Sequence, residues 1–319
     1  MAAPANLVTT LNTVGQKEDV EDVIYRVAPE KTPFVSSIGK TKATARYHEW
    51  QVEDLDAVNL SNAALEGDEF TLQAGNQPQR VGNYCQILTK TVGVSRTDDV
   101  VDLYGRSKES TRQTVLKGIA IRRDLEAISL SGQASQNESG ANPRKMGGAL
   151  AWLTTNVSRG AGGANGGFSA GIVAAPTNGT QRAFTETLLK SVIASNFTAS
   201  GEATHKIAMM GPTQKQAFSS FTGIAAQRVE VKGRNQATII AGADYYVSDF
   251  GTLAVVPHPY ALSRDAFLYD PDYWAIATLD GFKKEELAKT GDSTKWAMTH
   301  EVTLVSRNQK SSGVVADLL

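Results

Sequence analysis

Apolar residues recur at helical spacing most persistently over 108–130, KESTRQTVLKGIAIRRDLEAISL. Ile121, Leu125 and Ile128 form one stripe, and Val115, Leu116, Ile119 and Ala120 broaden it, so the spacing predicts a long amphipathic helix that Gly132 ends. A shorter helix is expected over 17–27, KEDVEDVIYRV, with Glu18, Asp19, Glu21 and Asp22 at its positive N-terminal end and Pro29 beyond its stop. Two more are expected over 185–196 and 212–221, the second opening with Pro212 in its first turn.

Period-two patterning marks the strands. In ATARYHEWQVEDL, Ala45, Tyr47, Glu49 and Gln51 alternate with Arg46, His48, Trp50 and Val52, a strand with no clean apolar face. Residues 56–82 then show little periodicity and many Asn, Gln, Gly and Ala, before NYCQILTKTVGVS resumes a β-rich run. The simplest reading is two long strands folded back on each other around a loose polar tip. Such an arm is marginal in isolation and needs cover from something else.

Further along, MGGALAWLTTNVS is a short apolar segment and SRGAGGANGGFSAG a flexible one. HKIAMMG, QATIIAGADYYVSD and TLAVVPH read as strands, so 185–259 is expected to be a mixed α/β unit. The closing section contributes the strands YWAIATL, TKWAMTHEVTLVS and SGVVADLL, with FKKEELAK read as a helix.

Composition narrows the function. The chain has 319 residues, 41 % of them hydrophobic, enough for a sizeable core. Lys and Arg number 32 against 33 Asp and Glu, a net charge of −1, which disfavours tight sequence-reading of nucleic acid. A single cysteine, Cys85, excludes a disulfide framework and a multi-cysteine zinc site. No secretion signal is present, and no window approaches the ~18 apolar residues of a membrane helix.

Three stretches carry candidate chemistry, and each reads better as structure. PFVSSIGKT (33–41) ends like a phosphate-binding loop, but Phe34 stands where the first glycine is needed and no apolar strand leads in. GFSAG (167–171) fits a serine-hydrolase elbow around Ser169, with Asp244 and His258 downstream. A Gly/Asn-rich loop leads in, however, and a proline-containing segment leads out, where the elbow needs a strand and a helix. His48, His205, His258 and His300 lie far apart without metal-ligand spacing, and no cofactor is expected. Arg122 and Arg123 with Asp124 and Glu126 read as the polar side of the long helix.

The order of parts resembles the major capsid proteins of tailed bacteriophages with the Hong Kong 97-type capsid fold, an α+β architecture. Local stretches strengthen the likeness: EDVEDVIYRVAPEKTPFVSSIGKTKATARYHEWQVEDL, RVGNYCQILTKTVGVS, RRDLE and DYWAIATLDGFKKEELAKTGDSTKWAMTHEVTLV. The resemblance implies an N-arm over 1–44, an E-loop over 45–95, and a peripheral domain over 96–184 and 266–319 with the spine helix at 108–130. An axial domain over 185–265 completes it. Within it Pro33 and Phe34 dock the arm, Gly39 permits a turn and Lys40 is solvated or paired with a neighbour. Arg46, Trp50, Arg80, Tyr84, Arg122 and Arg123 are the expected inter-subunit contacts, while Trp274 and Trp296 pack the peripheral core.

The implied partners are further copies in hexamers and pentamers, portal and scaffolding proteins, a decoration or cement protein, and packaged double-stranded DNA held weakly. No membrane is implied. Neither a cleaved N-terminal domain nor a Lys–Asn crosslink is expected. The rival readings are an encapsulin-like nanocompartment shell and a hydrolase centred on Ser169.

Overall fold

The computed structural model describes residues 30–67, 69, 72, 74–105, 107–201, 206–221 and 244–319. The helix expected over 17–27, His205 and most of QATIIAGADYYVSD lie outside the described residues. In chain order the first elements are α1 (Pro33–Ser37), β1 (Gly39–Lys42), β2 (Tyr47–Val52), β3 (Gln79–Tyr84), β4 (Gln86–Ser95) and α2 (Glu109–Ser129). Next come α3 (Ala149–Trp152), β5 (Val157–Ser158), β6 (Gly167–Ser169), β7 (Ile172–Ala174), α4 (Glu186–Ser200), β8 (Ile207–Met210) and α5 (Pro212–Ser219). The last are β9 (Tyr245–Ser248), β10 (Gly251–Pro257), β11 (Ala266–Tyr269), β12 (Trp274–Glu286), β13 (Ser293–Ser306) and β14 (Gly313–Val315).

The long hairpin β12–β13 organises a four-stranded sheet in the order β1-β12-β13-β4. Side chains alternate between its faces. Trp274, Ile276, Met298, Val302 and Leu304 point to one side and form a core with Leu88, Val92 and the α2 stripe residues Ile121 and Leu125. Ala275, Ala277 and Val305 point to the other, where they meet Ala43, Cys85 and the edge of Trp50. The small residues on this second face let the root of the arm approach the sheet closely.

A six-stranded sheet, ordered β5-β14-β11-β8-β10-β9, carries the second core. Leu189, Val192 and Ile193 of α4 and Phe218 of α5 pack there on Met210, Leu253, Val255 and Leu268. Pro212 opens α5, as its pattern predicts. Trp274 and Trp296 both lie in the first core.

Three local expectations need correction. FKKEELAK is not a helix: β12 runs on to Glu286, pairing Lys283 with Thr299, Lys284 with Met298 and Glu286 with Trp296. Helix-favouring residues yield here to the long cross-strand pairing with β13. Lys284 Nζ lies 4.4 Å from the centre of the Trp296 ring and donates to Thr114 Oγ1 at 3.2 Å. The β-rich run NYCQILTKTVGVS is not one strand of the arm, since it divides at Cys85: β3 pairs with β2, whereas β4 pairs with β13. Gly39, finally, is not a turn residue. The chain changes direction at Ile38, with φ −88° and ψ 162°, and Gly39 is already paired with Ala275 in β1.

Candidate assembly surface

The arm leaves the body as a two-stranded antiparallel ribbon, Tyr47 opposite Tyr84 through Val52 opposite Gln79. Isolated ribbons of this length are unstable, and this one is fastened at its root by side chains of both strands. Trp50 donates its indole N–H to the carbonyl of Ser306 at 2.8 Å, and its ring lies 5.4 Å from that of Trp152, which stacks in turn on Phe168. Tyr47 donates its hydroxyl to Gly171 O at 2.8 Å while its ring contacts Tyr84 at 4.6 Å. Burial, ahead of the nearby Glu49 charge, raises the Tyr47 hydroxyl pKa, so the group stays protonated and a donor.

On β3, Asn83 is fully buried and uses its whole amide. It donates to Gly147 O and Leu304 O and accepts from Gly147 N at 2.8 Å. Beside it Cys85 N–H donates to Arg46 O at 2.8 Å. Farther out, Lys310 Nζ pairs with Asp54 at 2.8 Å. The strand without a clean apolar face is thus explained: both faces meet the body, Trp50 from one and Tyr47 from the other, through aromatic rings and polar bonds instead of one apolar stripe.

Beyond Asp54 the arm changes character. Leu55, Leu60 and Leu72 are 96 %, 96 % and 101 % exposed, and Val58 and Leu65 are nearly as open. Apolar side chains held away from their own core mark an association surface. The exposure of these leucines is a feature that pattern reasoning missed. Their signal was present as apolar residues in a segment whose lack of periodicity leaves them nothing of their own chain to pack against.

The six residues expected at inter-subunit contacts fall into two groups. Arg46, Arg80 and Arg122 are exposed, with Arg80 forked onto the Glu49 carboxylate across the ribbon at 2.8 Å. Trp50, Tyr84 and Arg123 are partly buried against their own chain, Arg123 lying 5.1 Å from the Tyr260 ring centre. Lys40 is exposed, and Phe34 is fully buried.

The structure does not assemble a hydrolase triad. Ser169 closes a β6–β7 hairpin whose two turn residues, Ala170 and Gly171, have φ of 50° and 86°, the pattern of a type I′ turn. Asp244 pairs with Lys215, and His258 is bonded to Glu126. Among the described residues no group of three His, Cys, Asp or Glu is placed to hold a metal ion, and no helix is long and apolar enough to cross a membrane.

A fastened ribbon with an uncovered apolar tip, a long helix on a β-hairpin sheet and a separate six-stranded sheet define the fold. Solved structures share this fold. The chain is similar to one in the cyanophage A-1(L) capsid asymmetric unit, at TM-score 0.69 and 11 % identity over 98 % of this chain and 99 % of that one. It is also similar to the capsid of the native GTA particle, at TM-score 0.63 and 12 % identity over 97 % and 98 % of the two chains. A structure of phage G gp27 major capsid proteins and gp26 decoration proteins matches at TM-score 0.53 and 12 % identity, over 99 % of each chain. The fold is the Hong Kong 97-type capsid fold.

Sequence relatives specify the family. The major capsid protein of Escherichia phage Phieco32 is 28 % identical over 352 residues, covering 99 % of this chain and 97 % of that protein. Residues 5–319 match the SU10 major capsid protein family, and the chain belongs to it. It is a tailed-phage major capsid protein, a structural component of the icosahedral virion shell. These relatives do not favour the nanocompartment reading.

Proposed function

We propose that copies of this chain join head to tail into rings of five and six, and that the arm tip of each copy lies on its neighbour. Heterologous contacts of this kind close into rings, and rings close into a shell. The observation that carries the proposal is the uncovered state of Leu55, Leu60 and Leu72 on a ribbon whose root is tied to the body. In this reading α1 and β1 form the base of an N-arm, the ribbon and its tip the E-loop, and α2 the spine of a peripheral domain built on β12–β13. The six-stranded sheet with α4 and α5 supplies the axial domain.

Arg46, Arg80 and Arg122 meet neighbouring copies, whereas Trp50 and Tyr84 set the angle at which the arm leaves and Arg123 packs on Tyr260 of its own chain. A portal and a scaffolding protein complete the head, and a decoration protein is an optional further partner. The net charge of −1 suits a container for packed double-stranded DNA, which it neither grips nor strongly repels.

The test is the double variant Leu55→Glu/Leu60→Glu, compared with wild type by light scattering and negative-stain microscopy alongside a thermal melt. The expected result is loss of shells with an unchanged subunit melting temperature. Shells of normal yield and size from the variant would overturn the proposal.

A further inference from the structure

One buried carboxylate holds three separate parts of the chain. Glu126, on the spine helix α2, is fully buried and accepts from Phe34 N at 2.7 Å, from Val35 N at 2.8 Å and from His258 Nε2 at 3.1 Å. Phe34 and Val35 are the opening residues of α1, whose N–H groups have no acceptor within so short a helix. His258 follows β10 of the six-stranded sheet. Its Nδ1 accepts from Ala261 N at 2.9 Å, which leaves the proton on Nε2 and makes the ring a donor to Glu126.

The turn that His258 opens grips α1 a second time. Tyr260 donates its hydroxyl to Lys31 O at 3.1 Å, just before the helix starts. On the far side, Phe34 sits edge-on to Phe267, Tyr269 and Trp274, and Ser37 Oγ meets the Tyr269 hydroxyl at 3.0 Å. The α1 segment is therefore seated by the turn, by β11 and by the spine helix together.

The turn itself is held in an unfavourable shape. Leu262 is buried with φ of 60°, a left-handed conformation that a leucine adopts only when its surroundings impose it. The imposing contacts run to the six-stranded sheet: His258 N donates to Met210 O at 2.8 Å, and Gly211 N donates to Leu262 O at 3.1 Å. A Cβ at Gly211 would stand 2.7 Å from Leu262 O, so the approach is as close as glycine allows.

We propose that Glu126 couples the seating of α1 to the shape of the 258–262 turn, so that the two dock and release as a unit. If α1 lifts away, Glu126 loses two of its three hydrogen bonds, and a buried carboxylate left with one imidazole must turn outward or find new donors. Either movement takes the acceptor from His258, and the strained turn relaxes away from Gly211. Movement of α1 is in this way transmitted to the end of the six-stranded sheet.

Coupling of this kind is reciprocal, which gives a test from both ends. Amide hydrogen exchange is measured by mass spectrometry on the full-length protein. Phe34→Ala loosens α1 without touching the turn. Exchange is expected to rise roughly tenfold or more at 258–263 as well as at 33–38, while the β12–β13 pairing at 298–305 keeps its protection; 208–211 is not a readout, because Phe34 packs directly on the neighbouring strand β11. From the other end, His258→Ala is expected to raise exchange at the Phe34 and Val35 amides by a similar factor. The proposal is overturned if Phe34→Ala leaves 258–263 as protected as in wild type. It is equally overturned if His258→Ala leaves Phe34 and Val35 as protected as in wild type. Should Phe34→Ala fail to fold, Phe34→Leu with the same readout replaces it.

Discussion

The indole N–H of Trp50 reaches the carbonyl oxygen of Ser306 at 2.8 Å, joining the arm to the end of β13 across 256 positions of sequence. This bond makes the root of the arm part of the body. An arm that swung freely would present its tip to a neighbour at every angle and lose entropy on each contact, whereas a fastened root presents it pre-oriented.

Trp50→Phe keeps an aromatic ring near Trp152 while removing the N–H donor and the smaller ring of the indole. A loss of about 1 kcal/mol is expected in urea unfolding of the unassembled subunit. Trp50→Ala also removes the packing, with a loss of roughly 2–3 kcal/mol because one edge of the ring already meets solvent. Equal losses for the two variants would show that the hydrogen bond, and not the aromatic packing, fastens the arm.

Asp265 gives the subunit a pH dependence. Burial, ahead of the neighbouring Asp317 charge, pushes its carboxyl up to about 6, with partial relief from Arg159. Asp317 stays fully engaged, accepting from Gly160 N at 3.0 Å, Gly179 N at 2.8 Å and Arg264 at 3.2 Å. The fold favours the neutral form of Asp265. Its contribution is therefore complete below the ordinary aspartate range near 4 and is lost as pH rises through about 6. Asp265→Asn should be more stable than wild type by on the order of 1 kcal/mol at about pH 7.5, with the gap closing toward pH ~4. Denaturant melts at the two pH values check this, and an identical gap at both would contradict it.

Cys85 should be inert in the folded subunit. It is fully buried, and desolvation, ahead of the Glu301 charge, pushes its thiol up to about 11. A thiol reagent at neutral pH is expected to label it only after denaturant is added. Native labelling at a comparable rate would mean that the arm root, which covers Cys85, opens readily.

Local pattern carried much of the fold. The stripe Ile121, Leu125 and Ile128 placed α2 to within a residue at each end, because burial on one face imposes the helical period. The alternation around Trp50 placed β2. Where the reading failed, distant partners decided. FKKEELAK favours a helix on its own and became strand because Thr299, Met298 and Trp296 lie opposite. Glu126 read as part of a solvated helix face, yet its partners Phe34 and His258 are 92 and 132 positions away. No spacing rule reaches that far. The arm's leucines had the opposite problem, since they pack on nothing within their own chain and so leave no periodic pattern to read.

The most direct measurement is the mass of the purified protein in solution, by light scattering with negative-stain microscopy. Rings or closed shells in the megadalton range are the result expected of a chain whose arm tips lie on neighbouring copies. A strictly monomeric or dimeric species, persisting when the neighbouring genes are co-expressed, would contradict the account.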